Sequence, residues 1–479
     1  MLSGSLVKCE LPPVYAIAVS LALAVTAIAT IATYFSTTKT PDSEVYILLA
    51  KNMIANFCYS LSPVETASCV SSWGEQPPGY PFFILLVRVV GGNGERPIVF
   101  AQMIVFSIAA FYLCRVLYVS HRIPTLFILT TGAALFTPAS FGWSHFVLTE
   151  LLSSAAVMFA FAELARSVQS GRIRTVGICI AVICGMLIRW DLINLLVPVL
   201  AVLILSFGLR DAIRRGIPIV LICALPYLLL VARAAVVGLP LLPTTIMDEA
   251  KLPAGVLRFF RVAALDMDAT VNLVWPMTGG LNYSDIQLKE DPECQAGMSH
   301  SSIPEYSELV NADELCTLFE QLSEVPDGQA VPASLDNQFS RIADTVSKNW
   351  FAANIEIPML RAIRMWSRWL GHQLPYLEIG LTAPLKQIFI SYYLLVGAGL
   401  LIACIAGGHF LKTIAIGALS FLVAKTAFLV SIPISAMEFR YLDSFFPTID
   451  VIGLCGLGRI PGRIRAIAES AGKSDQHLA

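Results

Sequence analysis

Ten apolar runs divide this chain, each close to the length that a helix needs to cross a bilayer, and no other feature constrains the fold as much. A hydrocarbon core of about 30 Å requires about 20 apolar residues in a helix, because lipid offers no partner for an unpaired backbone N–H or C=O. The runs are 13–34, 99–119, 124–141, 147–164, 176–190, 192–207, 217–237, 388–405, 414–432 and 442–457. The first is too long for a cleaved signal peptide, and no basic n-region with a small-residue cleavage site frames it, so a retained span is expected. Composition agrees: 56% of residues are hydrophobic, 14% are charged and the mean hydropathy is +0.71, far from the values of a water-soluble domain. A formal charge of -2 with no basic stripe excludes nucleic acid as a partner.

Charge sets the orientation, because short cytoplasmic loops hold the Lys and Arg. With the N-terminus inside, the inner turns carry Arg115, His121 and Arg122; Arg166, Arg172 and Arg174; Arg210, Arg214 and Arg215; His409 and Lys412; and Arg459, Arg463, Arg465 and Lys473. All five are basic. The longest segment on the other side, 238–387, holds nineteen acids against ten bases. The fold class expected is an all-α polytopic membrane protein of about ten transmembrane helices, N-in and C-in, with outer juxtamembrane helices and a mostly helical extracytoplasmic domain.

Four units follow. Residues 1–238 form an N-terminal module of seven spans whose outer loop, 35–97, carries juxtamembrane helices; 239–387 form the extracytoplasmic domain; 388–458 form a C-terminal module of three spans; and 459–479 form a basic tail. Within the outer loop, 44–57 has Val45, Leu48, Leu49, Met53 and Ile54 at helical spacing, with Asp42 where an N-cap would stand. The run 82–90, closed by Gly91-Gly92-Asn93-Gly94, is too short to span and is expected at the interface; counted as a span, it would invert every later loop. In the domain, 311–323, 334–349 and 356–370 are the clearest helical segments. The last places Met359, Ile363, Trp366 and Leu370 on one face, the pattern of a membrane-surface helix. Four cysteines fall outside, and their short separations favour Cys58–Cys69 and Cys294–Cys316 disulfides among the three pairings, against four free buried thiols. None has zinc spacing.

Ionisable residues at lipid depth are costly, which marks them as functional candidates. Four sets qualify, and the topology brings them to the outer face. Asp42 and Glu44, two apart, suit a shared divalent cation such as Mg or Mn, or a base with its orienting partner; the alternative is a cap by Asp42 with a solvated Glu44. His145 and Glu150 come next, with Glu150 inside an apolar stretch where it needs a partner or a raised pKa, or else bonds only to neighbouring backbone and hydroxyl groups. Arg189-Trp190-Asp191 ends the fifth span, either as a ligand site or as an interfacial anchor. Glu438-Phe439-Arg440-Tyr441 opens the last span, where Arg440 suits a phosphate, or else pairs with Glu438. Carboxylates and arginines gathered on one face beside a covering domain suit a lipid-borne phosphate ligand taken from the bilayer and an acceptor from outside.

The residues Asp42-Ser43-Glu44-Val45-Tyr46 with Ala50, Pro77-Pro78-Gly79-Tyr80-Pro81 before a short helix ending Gly91-Gly92, Thr149-Glu150, and Arg440-Tyr441 followed by Pro447 resemble the GT-C superfamily of polyprenyl-phosphate-sugar glycosyltransferases, near its protein mannosyltransferase and aminoarabinose transferase group. The resemblance covers the first seven spans and the last one. It implies an inverting transfer to a glycan, lipid or protein acceptor, in a bacterial inner membrane with the active site facing the periplasm. Asp42 would be the general base, with Glu44 and Glu150 assisting; Arg189 and Arg440 would hold the leaving phosphate; Tyr46, Tyr80, His145, Asp191, Glu438 and Tyr441 would line the substrate site. Many relatives carry a Lys before the Pro of the second motif, where this chain has Gln76-Pro77-Pro78. A transporter, a flippase, or a ligase without its own base is the alternative; a transporter would place its charges nearer the midplane.

Overall fold

A membrane helix is stable when its backbone bonds are closed internally, and its neighbours are chosen by the size of the side chains between them. The computed structural model describes residues 12–34, 37–57, 59, 77–137, 140, 142–237, 255, 317–318, 321, 331–348, 350–356, 358–359, 362–363, 366, 383–431 and 444–458. In chain order the helices are α1 (Val14–Tyr34), α2 (Pro41–Asn56), α3 (Gly79–Gly91), α4 (Arg96–His121), α5 (Pro124–Phe136), α6 (Glu150–Ser170), α7 (Thr175–Ile188), a 3-10 turn (Trp190–Leu195), α8 (Leu196–Phe207), α9 (Leu209–Val237), α10 (Ala333–Ser347), a π-turn (Ala352–Glu356), α11 (Ala383–Ala406), α12 (His409–Ser431) and α13 (Phe446–Leu457). The chain is an all-α polytopic membrane protein, and each predicted span coincides with a helix. Among the described residues six stretches are long and apolar enough to cross a membrane, in α1, α4, α6, the 3-10 turn with α8, α9 and α12, while α5, α7, α11 and α13 contribute shorter apolar stretches. The 13 residues of α3 reach about 20 Å, short of a bilayer, as their length predicts.

Burial sorts the helices. α6 is the centre, buried along most of its length, and its Ser153, Ser154, Ala155, Ala156, Ala160, Ala162 and Ala165 let α4, α7 and α13 approach closely. α1 is mostly exposed and faces lipid, as does much of α9. α11 and α13 are the most intimate pair: a Cβ on Gly453 would overlap the Val396 carbonyl, and one on Gly456 would overlap the Gly399 carbonyl, so the two backbones touch. At the end where α6 finishes and α7 begins, Glu163 takes Arg174 Nε at 2.6 Å and the Tyr112 hydroxyl.

Helix starts depart from the sequence reading in one informative place. The fourth span was expected from residue 147, yet α6 begins at Glu150. Phe146 and Val147 are drawn into a parallel bridge with Thr38 instead: Thr38 N donates to the His145 carbonyl at 3.1 Å, and Val147 N donates to the Thr38 carbonyl at 3.4 Å. Backbone paired side by side with another segment is held extended and cannot take helical dihedrals at the same residue, so the helix starts after the bridge. In the segment expected as an extracytoplasmic domain, α10 matches the predicted 334–349, and Gly255 N bonds Asp336 Oδ1 at 2.7 Å. Trp366 packs edge-on against Phe446 and donates to Thr426 Oγ1 at 3.3 Å, so a juxtamembrane segment seats on α12 and α13. Cys58, Cys69, Cys294 and Cys316 lie outside the described residues.

The α11–α13 contact gives a test. Gly456→Leu should cost about 1–3 kcal/mol or more through overpacking and lower the thermal unfolding midpoint in detergent. Gly397→Ala, on the same α11 but with open space around it, should leave that midpoint unchanged or slightly raised.

Candidate functional site

The bundle end that carries the start of α6 also carries the end of α7 and the last turns of α12. There the predicted residues Glu150, Arg189 and Asp191 meet in one buried chain of charges. Arg189 holds Asp191 with both edges of its fork, Nε to Oδ1 at 3.1 Å and Nη2 to Oδ2 at 3.3 Å, and reaches Glu150 Oε1 through Nη1 at 3.4 Å. Lys425 closes the chain, with Nζ 3.1 Å from Asp191 Oδ2 and 2.7 Å from Ser444 Oγ. All five residues are buried.

Local structure explains the convergence. Glu150 is the first residue of α6, where a carboxylate faces the positive end of the helix dipole. Arg189 leaves the helix in extended conformation after α7, and Asp191 sits in the following 3-10 turn, so residues two apart can grip each other as they could not on an α-helix. The Asn194 side chain donates to the Asp191 carbonyl at 2.8 Å and fixes that turn. Alternating signs offset the large desolvation cost of burying four charges. Among the described residues Glu150 Oε2 is buried with no hydrogen-bond partner, a spare acceptor inside the site.

Asp42 and Glu44 lie in the first turn of α2, not in a loop. Thr40 supplies the N-cap, with Ser43 N donating to Thr40 Oγ1 at 3.2 Å and Thr40 N donating back to Ser43 Oγ at 3.0 Å. The expected cap by Asp42 is thus corrected: Thr40 precedes the Pro41 that starts the helix and takes the role. Helical residues two apart diverge, so Asp42 is half-buried while Glu44 is exposed on the side of Lys39, which pairs with Glu95 at 2.8 Å. Among the described residues no group of three or more His, Cys, Asp or Glu side chains is gathered as a metal site.

The Thr38–Phe146 bridge brings the segment entering α2 alongside the one entering α6, and so joins the Asp42 turn to His145 and Glu150. Tyr46 and Tyr80 pack edge to face at 4.9 Å between centroids, and the Tyr80 hydroxyl donates to Gln102 Oε1 at 3.0 Å. Gln102 donates in turn to the Leu148 carbonyl at 3.0 Å. The fully buried Tyr80 therefore braces α2, α3, α4 and the start of α6, with its hydroxyl committed to that task. Gly79 belongs to the same scaffold: a Cβ there would lie 2.5 Å from the Leu187 carbonyl oxygen, two residues before Arg189. His145 is buried and borders an apolar groove of about 350 Å³ between α1 and α4, with the exposed Arg96 at its edge. Glu438, Arg440 and Tyr441, together with Gln76, lie outside the described residues.

Lys425 is the member of this chain of charges that the sequence pattern did not single out, although a lysine inside the ninth apolar run is itself an intramembrane charge.

No protein-family model matches the chain, and no curated protein is similar to it. Solved structures of ArnT from Cupriavidus metallidurans are. One is bound to undecaprenyl phosphate and one is in the apo state; each is 14% identical to this chain, covers 93% of it and is itself covered over 77%, with TM-scores of 0.38 and 0.35. At that distance the roles of individual residues rest on the geometry above.

Lys425→Met should destabilise the protein by about 3–5 kcal/mol, because it strands buried negative charge. Combined with Asp191→Asn it should cost less than the two single changes added together, as measured by a double-mutant cycle of unfolding in detergent. Strict additivity would show that the two side chains are uncoupled.

Proposed function

We propose that this chain is an integral membrane glycosyltransferase of the GT-C type, which transfers a sugar with inversion from a polyprenyl-phosphate donor to an acceptor on the extracytoplasmic side, in a bacterial inner membrane facing the periplasm. The observation that carries the reading is the meeting of two different chemistries at one bundle end: a half-buried carboxylate, Asp42, tied through the Thr38–Phe146 bridge to a buried site that holds two cations, Arg189 and Lys425.

Such a transfer needs three things that these residues can supply. The acceptor hydroxyl attacks the anomeric carbon from the face opposite the phosphate, and Asp42 takes its proton as the new C–O bond forms. The bond between the anomeric carbon and the phosphate oxygen breaks with its electron pair going to that oxygen, so the leaving polyprenyl phosphate gains charge. Arg189, a planar fork already aligned by Asp191, and Lys425 behind it stabilise that charge in a site of low dielectric. Glu150 uses its spare oxygen to accept from a donor hydroxyl or amine and so orients the sugar. Arg440 adds a phosphate contact from the start of the last span, and Glu438 and Tyr441 flank it. The lipid chain of a substrate lies against the apolar helix surface. No step is routed through a cation.

The Lys absent before the proline motif makes Arg189 and Lys425 the more important in this chain. A flippase or a ligase would also use the cations, but it would leave Asp42 without work. The experiment is therefore Asp42→Asn in purified, correctly inserted protein, assayed for release of polyprenyl phosphate from a polyprenyl-phosphate sugar. The rate should fall by about 10²–10⁴-fold with the donor KM little changed. Arg189→Gln should raise the donor KM as well as lower the rate. Full transfer by Asp42→Asn would overturn the assignment.

A further inference from the structure

At the opposite bundle end, away from the charge chain, α1, α4 and α5 enclose a second groove, of about 360 Å³. Its walls are apolar, with Leu21 and Ala24 from α1, Ile108 and Phe111 from α4, and Phe159 from α6. Two features do not belong in a plain lipid-facing cleft. Ser20 and Ser107 line the groove with buried hydroxyls that have no hydrogen-bond partner among the described residues. Arg115 lines it two helical turns along α4 from Ser107, about 12 Å away, and makes no ion pair among the described residues.

Tyr112, another wall residue, donates to Glu163 and accepts from Arg166 at 2.7 Å, while Arg174 also pairs with Glu163 at 2.6 Å. The cation that the groove itself presents is Arg115. An apolar slot of this volume, with a cation at one end and hydroxyls along its wall, suits a phospholipid with an anionic headgroup. The headgroup answers Arg115, the ester carbonyls give the serine hydroxyls acceptors, and an acyl chain fills the apolar remainder.

We propose that this groove is a binding site for one anionic phospholipid, held between α1 and α4 and separate from the site that carries Asp42 and Arg189. Its occupant would tie α1, whose surface is mostly uncovered by protein, to the rest of the bundle.

Native mass spectrometry of the full chain, released from micelles containing equal phosphatidylglycerol and phosphatidylcholine, tests this. Wild-type protein should retain one phosphatidylglycerol with a preference over phosphatidylcholine of about fivefold, the ratio expected for one cation at about 1 kcal/mol. Arg115→Gln, a half-buried position where loss of the charge does not threaten folding, should abolish the preference. Ala24→Phe should displace the retained lipid by filling the groove while leaving the arginines in place. Equal retention of the two lipids by wild type, or an unchanged ratio in Arg115→Gln, would overturn the proposal. If Ala24→Phe keeps its unfolding midpoint in lipid-free detergent and still retains the lipid, the site is not in this groove.

Discussion

The interaction on which the rest depends is the grip of Arg189 on two carboxylates from different parts of the chain. A guanidinium inside a bundle is tolerable only where its donors are answered, and here Asp191 answers two and Glu150 a third. That requirement fixes where α7 must end, how the 3-10 turn must fold, and where the first turn of α6 must stand. Lys425 extends the requirement to α12 and, through Ser444, to the entry of α13. Four otherwise independent membrane segments are thereby registered to one another at one end, while their other ends are free to be fixed by small-residue packing.

That division of labour is visible along α6. Its first residue belongs to the charge chain, its middle is a surface of serine and alanine that brings neighbours close, and its far end carries Glu163, with a second set of arginines. Gly177 matches this end closely: a Cβ there would overlap the Glu163 carboxylate, so α7 approaches at the one residue that leaves room. The helix is polar at both tips and apolar between them, as a helix buried on nearly all sides in a membrane must be.

Much of this was legible in the sequence. The ten apolar runs each coincide with a helix, 82–90 forms a short helix as its length required, and the grouping of Glu150 with Arg189 and Asp191 followed from the alternation of spans. The boundaries were not legible at residues 146–149, because hydropathy does not reveal that the backbone donor of Val147 is taken by Thr38, 109 positions earlier in the chain. Nor was the cap of α2: Asp42 and Thr40 both suit an N-cap, and Pro41 decides between them because it is tolerated in the first turn, where its missing N–H is not needed. Lys425 was visible but was read as part of an apolar run, since one lysine hardly alters the mean of twenty residues. Its meaning depends on Asp191, which sequence separation of more than two hundred positions conceals.

The Thr38–Phe146 bridge has a consequence of another kind. It joins the turn that presents Asp42 to the entry of α6 through main-chain atoms alone, and such bonds are indifferent to the identity of the side chains on either strand. Scanning these positions with alanine would leave both bonds in place and report nothing, however much the geometry depended on them. The same indifference frees residues 38 and 146–147 to drift between distant relatives while the spacing between carboxylate and cations persists. Part of what aligns this site would then leave no trace in a comparison of sequences.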